Sequence, residues 1–190
     1  TDQAAPGILA VARQTGRQDF LAFGEVYEIP DPMTDALERK VASYLGTTAA
    51  PEIPSVLGFP LYGEIGRVFA EGRPTSYLTY RLSKLVDPTI YPNPHRIPTF
   101  IDNHDVRRFL SVTSPTGEDL LQALAFLFAA PGIPIVYYGI LKAGGVVVPP
   151  KTYFEKIQAI LQANDIAFIA DEVICGFGRT GNWWGTQTFN

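Results

Sequence analysis

The sequence predicts an α/β fold built from βα units around a mainly parallel sheet. Short apolar runs of strand length alternate with helical patterns along the chain. Hydrophobic residues make up 46% and charged residues 18%, which is ordinary globular composition rather than disorder. Sixteen prolines punctuate the loops between short elements.

The elements follow in order. Ile8 to Arg13 reads as the end of a helix, with Gly16 as its stop. Phe20 to Val26 (FLAFGEV) reads as a buried strand, and Met33 to Leu45 as an amphipathic helix. Ser55 to Leu61 is a second strand, followed by helical patterns at Tyr62 to Phe69 and Ser76 to Leu85. Ile97 to Asp102 is a third strand. Glu118 to Ala129 is a helix whose first-turn acids suit the positive end of the helix dipole. Its expected apolar face is Leu120, Leu121, Leu124, Leu127 and Phe128. Pro131-Gly132 ends it, and Ile133 to Tyr138 is a fourth strand.

A shorter strand is expected at Gly144 to Val148. Tyr153 to Ala163 is a helix with the apolar face Tyr153, Phe154, Ile157, Ile160 and Leu161. Ile166 to Ala170 reads as a strand with Asp171 at its C-terminal end, and the tail from Gly176 as loop. Between Gly139 and Gly145 one strand ends and another begins with no helix between them. Parallel neighbours need a crossover of a dozen or more residues, so this seam breaks the βα rhythm.

Bulk properties exclude several classes. The net charge of −4 gives no electrostatic footprint for nucleic acid. No window approaches 18 uninterrupted apolar residues, so no membrane span is expected. One cysteine, Cys175, excludes an intrachain disulfide. Two histidines and one cysteine are a poor supply of transition-metal ligands, and no metal is expected. The chain starts at Thr1 without a signal-peptide pattern, which fits either processing or excerpting, and a cytoplasmic location.

Two carboxylates stand just past apolar strands, Glu25 in FGEVYE and Asp105 in FIDNHDVRRF. In a βα barrel, side chains at the C-terminal strand ends build the active site. A lone strand-end acid more often caps the next helix. The ordered set FGEV, GFPLYGE, FIDNHD and PGIPIVYYG resembles strands five to eight of the α-amylase family of glycoside hydrolases. The resemblance covers residues 1–139 and implies half of a (β/α)8 barrel.

The resemblance also implies roles. Glu25 matches the family's acid/base, Asp105 the aspartate that stabilises the transition state, and His104 the histidine that bonds sugar hydroxyls. Asn103 supports that turn. The family's nucleophile lies in a Gly-Phe-Arg-x-Asp type motif, which does not occur in this sequence. Retaining hydrolysis needs two carboxyl groups, one of them the nucleophile. An incomplete, inactive site is therefore expected.

From Ala143 the text changes. AGGVVVPPKTYFEKIQAIL and FIADEVICGFGRTGNWWG resemble class III pyridoxal-phosphate aminotransferases of the ω-transaminase kind. The resemblance implies that Asp171 pairs with the cofactor's pyridine nitrogen and that Val173 packs on its ring. The GFGRTG loop matches a segment that shapes the family's subunit interface. The family's Schiff-base lysine motif and its Gly-rich phosphate loop are not found here. Lys142, Lys151 and Lys156 read as solvated lysines. No bound cofactor is expected, and pyridoxal phosphate enters by ancestry only.

Several residues have plain readings. His95, in the Pro-rich YPNPHR, reads as a surface residue. Trp183 and Trp184 match the aminotransferase loop and read as packing or interface residues rather than a sugar platform. Cys175 reads as a small buried hydrophobe. The GxGxxG-like run Gly176, Gly178, Gly181 opens no apolar helix, against a dinucleotide site.

The expected organisation is a half barrel over 1–139 and an aminotransferase-like βαβ segment over 140–190, as two domains or one compact one. A half barrel leaves sheet edges and an apolar face uncovered, which either the appended unit or self-association with a second chain could cover. Three readings follow: a glycoside-hydrolase-derived chain that binds α-glucan weakly, an aminotransferase remnant, and a recombined or designed scaffold without catalysis.

Overall fold

A computed structural model describes residues 4–17, 20–45, 53–112, 115–137, 150–170, 172 and 175–188. The chain divides into two compact units, Thr1–Gly144 and Gly145–Asn190. The seam at 139–145 and the strand expected at 144–148 fall outside the described residues.

The first unit holds α1 (Ala4–Gln14), α2 (Ala36–Leu45), α3 (Phe59–Ile65), α4 (Ser76–Leu85), β1 (Pro98–Phe100), α5 (Gly117–Ala129) and β2 (Ile133–Ile135). β1 and β2 pair in parallel, Pro98 opposite Ile133 and Phe100 opposite Ile135. The first two expected strands shrink to one parallel bridge, Gly24 with Val56. Gly24 N donates to Ser55 O and Leu57 N to Gly24 O, each at 2.9 Å.

The Val56 segment continues the row. Ser55 Oγ donates to Arg96 O, and Gly58 N donates to Pro98 O at 2.8 Å. Both segments advance together, so they too run parallel. Four extended segments thus stand side by side in chain order, around Gly24, Val56, β1 and β2. Their ladders are short partly because Pro54, Pro60, Pro98 and Pro134 supply no N–H.

Two glycines permit the close approach. A Cβ on Gly58 would lie 2.9 Å from Pro98 O, and one on Gly132 would lie 2.7 Å from Ile97 O. Gly132 also has φ +129°, a backbone region that glycine alone enters at little cost.

Helical stripes close the core. Leu37, Val41 and Leu45 of α2 recur every fourth residue, and all are buried. In α5 the buried stripe is Leu120, Ala123 and Leu127. Leu121 and Phe128, expected on that face, are 66% and 62% exposed. α5 begins on a capping box, with Thr116 and Asp119 each satisfying the other's backbone N–H. The aromatic rings of Phe59, Tyr62 and Phe100 pack together, Tyr62 stacked on Phe100 at 5.1 Å.

The stripe of α4 has a charge at its centre. Arg81 is buried between Leu78 and Leu85. It pairs with Glu38 of α2 and with Glu64 of α3 at 3.0 Å. It also donates to the carbonyls of Thr34 and Asp31, both at 2.6 Å. Arg67 adds a second cation on Glu64 at 2.8 Å. Two arginines and two glutamates balance in charge, and Arg81 fastens three helices and the 31–34 turn. Glu38 Oε2 and Glu64 Oε2 keep no hydrogen-bond partner among the described residues.

Local departures from the sequence reading have physical causes. The helix expected from Met33 starts at Ala36, because Pro32-Met33 forms a turn with Met33 at φ 58°. The strand expected through Leu61 stops early, because Pro60 sits at the first turn of α3, where a missing N–H costs nothing. The helix then widens into a π-helical turn at Gly66–Ala70.

In the second unit, α6 spans Tyr153–Ala163 and buries no residue. Ile160, expected on its buried face, is 61% exposed. Ile166–Ala170 forms no strand, and every residue in it is exposed. A single-turn helix at Gly185–Thr188 closes the described residues. No described helix is long and apolar enough to cross a membrane.

Candidate functional site

The four parallel segments end on one rim, and the sequence-predicted residues follow those ends. Glu25 comes directly after the bridge residue Gly24. Asn103, His104 and Asp105 follow β1, and Tyr137 follows β2. In parallel order, Glu25 and Asp105 therefore share a rim with the Val56 segment between them.

The 102–109 turn is held by two side chains. Asp102 is buried and accepts Phe109 N at 3.1 Å and Arg108 Nη1 at 3.4 Å. Burial pushes the Asp102 carboxyl above the usual carboxylate range, against the lowering by Phe109 N–H and Arg108. Asn103 Oδ1 accepts Asp105 N at 2.8 Å and Val106 N at 3.2 Å, an Asx-type turn that fixes the backbone under the pair.

His104 and Asp105 project from that turn into solvent. Their Nε2 and Oδ2 atoms are 3.1 Å apart. The His104 ring lies 6.3 Å from the Tyr137 ring, and the Arg108 guanidinium lies 4.4 Å from the same ring. Behind them, burial pushes the Tyr62 hydroxyl up to about 12, so it stays a neutral donor. Glu25 is exposed and makes no hydrogen bond or ion pair among the described residues.

The rim thus carries an imidazole–carboxylate pair at His104 and Asp105, an exposed carboxylate at Glu25 and the Tyr137 ring. Asp102, Arg108 and Tyr137 were missed from sequence. Their roles depend on a turn folding back over six residues and on a neighbouring strand. No group of described residues could hold a metal ion.

Asp171 and Val173 lie outside the described residues. Between them, Glu172 accepts Gly185 N at 2.8 Å and Thr186 N at 2.9 Å. The Thr186 N–H, then that of Gly185, holds its carboxyl below the ordinary range. Cys175 is half-buried rather than buried. Trp183 is 73% exposed, and Trp184 tilts against Phe177 at 5.4 Å. His95 is exposed.

Fold and rim define, among the described residues, a parallel βα assembly with carboxylates at its strand ends. Comparison with known proteins separates the chain into two likenesses. A cyclomaltodextrin glucanotransferase with a three-domain ABC distribution, CldA, superposes with TM-score 0.55 and 35% identity over 68% of this chain and 24% of its own. An α-amylase from Malbranchea cinnamomea gives 0.55 and 27% over 72% and 25%. Residues 145–190 are about a quarter of the chain, so most of either match falls in the first unit.

The other likeness is local. Residues 134–190 match the Aminotransferase class-III family model, from inside β2 rather than from Ala143. Putrescine–pyruvate aminotransferase of Pseudomonas aeruginosa is 68% identical over 47 residues, 25% of this chain and 10% of that protein. Gamma aminobutyrate transaminase 3, chloroplastic, of Solanum lycopersicum is 63% identical over 51 residues, 27% and 10%. The chain is consistent with a chimera of the two families. It spans about a tenth of these curated relatives and about a quarter of the two solved structures.

Proposed function

We propose that the chain is a glycoside-hydrolase-derived βα assembly that binds α-glucan at the rim of Glu25, His104 and Asp105 and turns it over at trace rates or not at all. The placement of Glu25 and Asp105 on one rim of parallel segments carries this reading. In it, the four segments correspond to strands five to eight of an amylase barrel. Glu25 would be the acid/base, Asp105 the stabilising aspartate and His104 a donor to sugar hydroxyls, its turn set by Asn103. Forming a glycosyl-enzyme requires a carboxylate nucleophile about 5–5.5 Å from the acid/base, and the sequence contains no Gly-Phe-Arg-x-Asp motif to supply one.

Titration calorimetry with maltoheptaose tests the binding. Millimolar affinity is expected, with a several-fold loss in His104→Ala and Asp105→Asn. Hydrolysis at ordinary enzyme turnover, abolished by Glu25→Gln, would sink the low-turnover part. Unchanged binding in both rim variants would sink the site.

The 63–68% identity favours a second reading for residues 134–190, an aminotransferase remnant. Asp171 and Val173, the contacts this reading needs, and Lys142 lie outside the described residues. Lys40 is paired with Glu28, Lys84 lies over the Tyr80 ring, and Lys151 and Lys156 are exposed. None is the desolvated amine that an imine-forming lysine requires. Borohydride reduction with the cofactor should therefore label exposed lysines weakly. Stoichiometric labelling of one lysine, lost in Asp171→Ala, would promote this second reading.

A further inference from the structure

We propose that a second copy of this chain closes the open sheet, pairing the Gly24 edge of each copy with the β2 edge of the other about a two-fold axis. The argument rests on hydrogen-bond directions. In a parallel ladder each residue bonds one neighbour with both its N–H and its C=O, and the next residue bonds the other. Gly24 spends both groups on the Val56 segment. The N–H and C=O of Phe23 and Glu25 therefore point to the outer side. At the opposite edge, Ile133 N donates to Ile97 O, and Ile133 and Ile135 face β1. Pro134 and Val136 then point outward. Among the described residues nothing bonds either outer row.

Two constraints narrow the register between these rows. The first is proline. Pro134 can accept but cannot donate, so no partner carbonyl can sit where a 134 N–H would be needed. The second is the pleat. Pairing places Gly24, Val56, Gly58, Thr99 and Pro134 on one face of the sheet, and Phe23, Glu25, Phe100 and Ile135 on the other. The first face is turned to α2 and α4, since Gly58 and Thr99 border a small crevice with Glu38, Arg81 and Leu85. A shift of one residue would turn Phe23 to the wrong face.

Phe23 opposite Ile135 meets both constraints. Phe23 N then donates to Pro134 O, Val136 N to Phe23 O, and Glu25 N to Val136 O. Placing Phe23 opposite Ile133 keeps the face but requires the missing Pro134 N–H. The two-fold repeats the chosen register at both edges and closes the ring, as an isologous contact does.

Apolar exposure agrees. Phe23 and Val136 are 38% and 47% exposed on the two edges. The face that would line the interior carries exposed Phe23 and half-buried Leu57, Ile133 and Ile135, beside Pro98 and Phe100, which one chain already buries. Two such faces cover one another in a closed ring. Glu25, His104 and Asp105 of both copies would then share one rim, so the second copy completes the wall of the proposed glucan site. The pairing itself does not depend on glucan binding.

The experiment is sedimentation equilibrium on the whole chain, with Val136→Pro as the probe. The substitution removes one outward N–H and leaves the bonds to β1. The wild type is expected to form dimers in the micromolar range. Val136→Pro should raise the dissociation constant about thirtyfold, because the two-fold counts each lost bond twice, while far-UV circular dichroism stays unchanged. If that variant misfolds, a Cys175→Ser chain carrying Phe23→Cys and Ile135→Cys decides instead. On oxidation it should give a covalent dimer, since directly opposed positions fall within disulfide reach. A wild-type monomer at 100 micromolar overturns the proposal. So does a dimer with an unshifted constant and no cross-link.

Discussion

The two units carry the same kind of amphipathic helix and give it opposite fates. In α2 the stripe Leu37, Val41, Leu45 is buried against a continuous apolar cluster. In α6 no residue of the stripe Tyr153, Phe154, Ile157, Ile160, Leu161 is fully buried, and Ile160 is exposed. Yet the second unit lies in the part with 63–68% identity to its relatives, while the neighbours of the larger part share 27–35%. Likeness to a family and possession of a core are thus separate properties. Each fully buried Leu or Val contributes about 1.5–3 kcal/mol relative to exposure, and the described residues of the second unit collect almost none of it.

This difference can be read with two signals. Trp183 and Trp184 are the chain's two tryptophans, so indole emission reports the second unit. Helical circular dichroism reports mostly the first, which holds five of the six described α-helices. The largest expected effect is that of Arg81→Met. It leaves Glu38 and Glu64 buried with less compensation, and breaking a buried pair costs about 3–5 kcal/mol. The dichroism transition in urea should fall by that amount while the tryptophan transition stays in place. A shift of both transitions together would show that the units unfold as one.

A milder pair compares the helices directly. Leu127→Ala removes a fully buried side chain of α5 and should cost about 2–5 kcal/mol. Leu161→Ala on α6, where the side chain is only half-buried, should cost about 1 kcal/mol or less. Urea midpoints by dichroism and by tryptophan emission check both. A cost above about 2 kcal/mol at Leu161 would show that α6 has a buried partner in solution.

What was legible in the sequence follows the same division. The spans of α4, α5 and α6 and the order of the four extended segments could be read, because periodicity and punctuation are local. Arg81 could not. A lone arginine in an apolar stripe gives no sign that Glu38 and Glu64, 43 and 17 residues away, will meet it. The strand at Phe20–Val26 was too long, because an apolar run does not say whether a neighbour covers it. Leu121 and Phe128 read as core for a similar reason: an all-apolar helix shows no single face, and only packing decides which stripe is buried. At the rim, motifs point to Glu25, His104 and Asp105 only as candidates, while the support of their turn from Asp102 and Arg108 needs the folded structure.

The smallest effect separates a capped helix from an uncapped one. Thr116 accepts Asp119 N at 3.2 Å, and Asp119 accepts Thr116 N at 2.7 Å. The N-cap of α6, Thr152, makes no such bond. Thr116→Ala should therefore cost about 1 kcal/mol, and Thr152→Ala only a few tenths. The pH dependence gives a second reading of the same cap. The Thr116 N–H, then its hydroxyl, holds the Asp119 carboxyl below its ordinary value. A carboxyl lowered in the folded state contributes stability above its unfolded value, and that contribution is lost as pH falls through the folded one. Thr116→Ala keeps the backbone donor and removes the hydroxyl, so part of this acid-side loss should disappear. Urea midpoints by dichroism at pH 7 and below pH 4 provide the test. The gap between wild type and Thr116→Ala should narrow in acid, whereas a gap equal at both pH values would place the hydroxyl's whole effect on Asp119 N and none on its carboxylate.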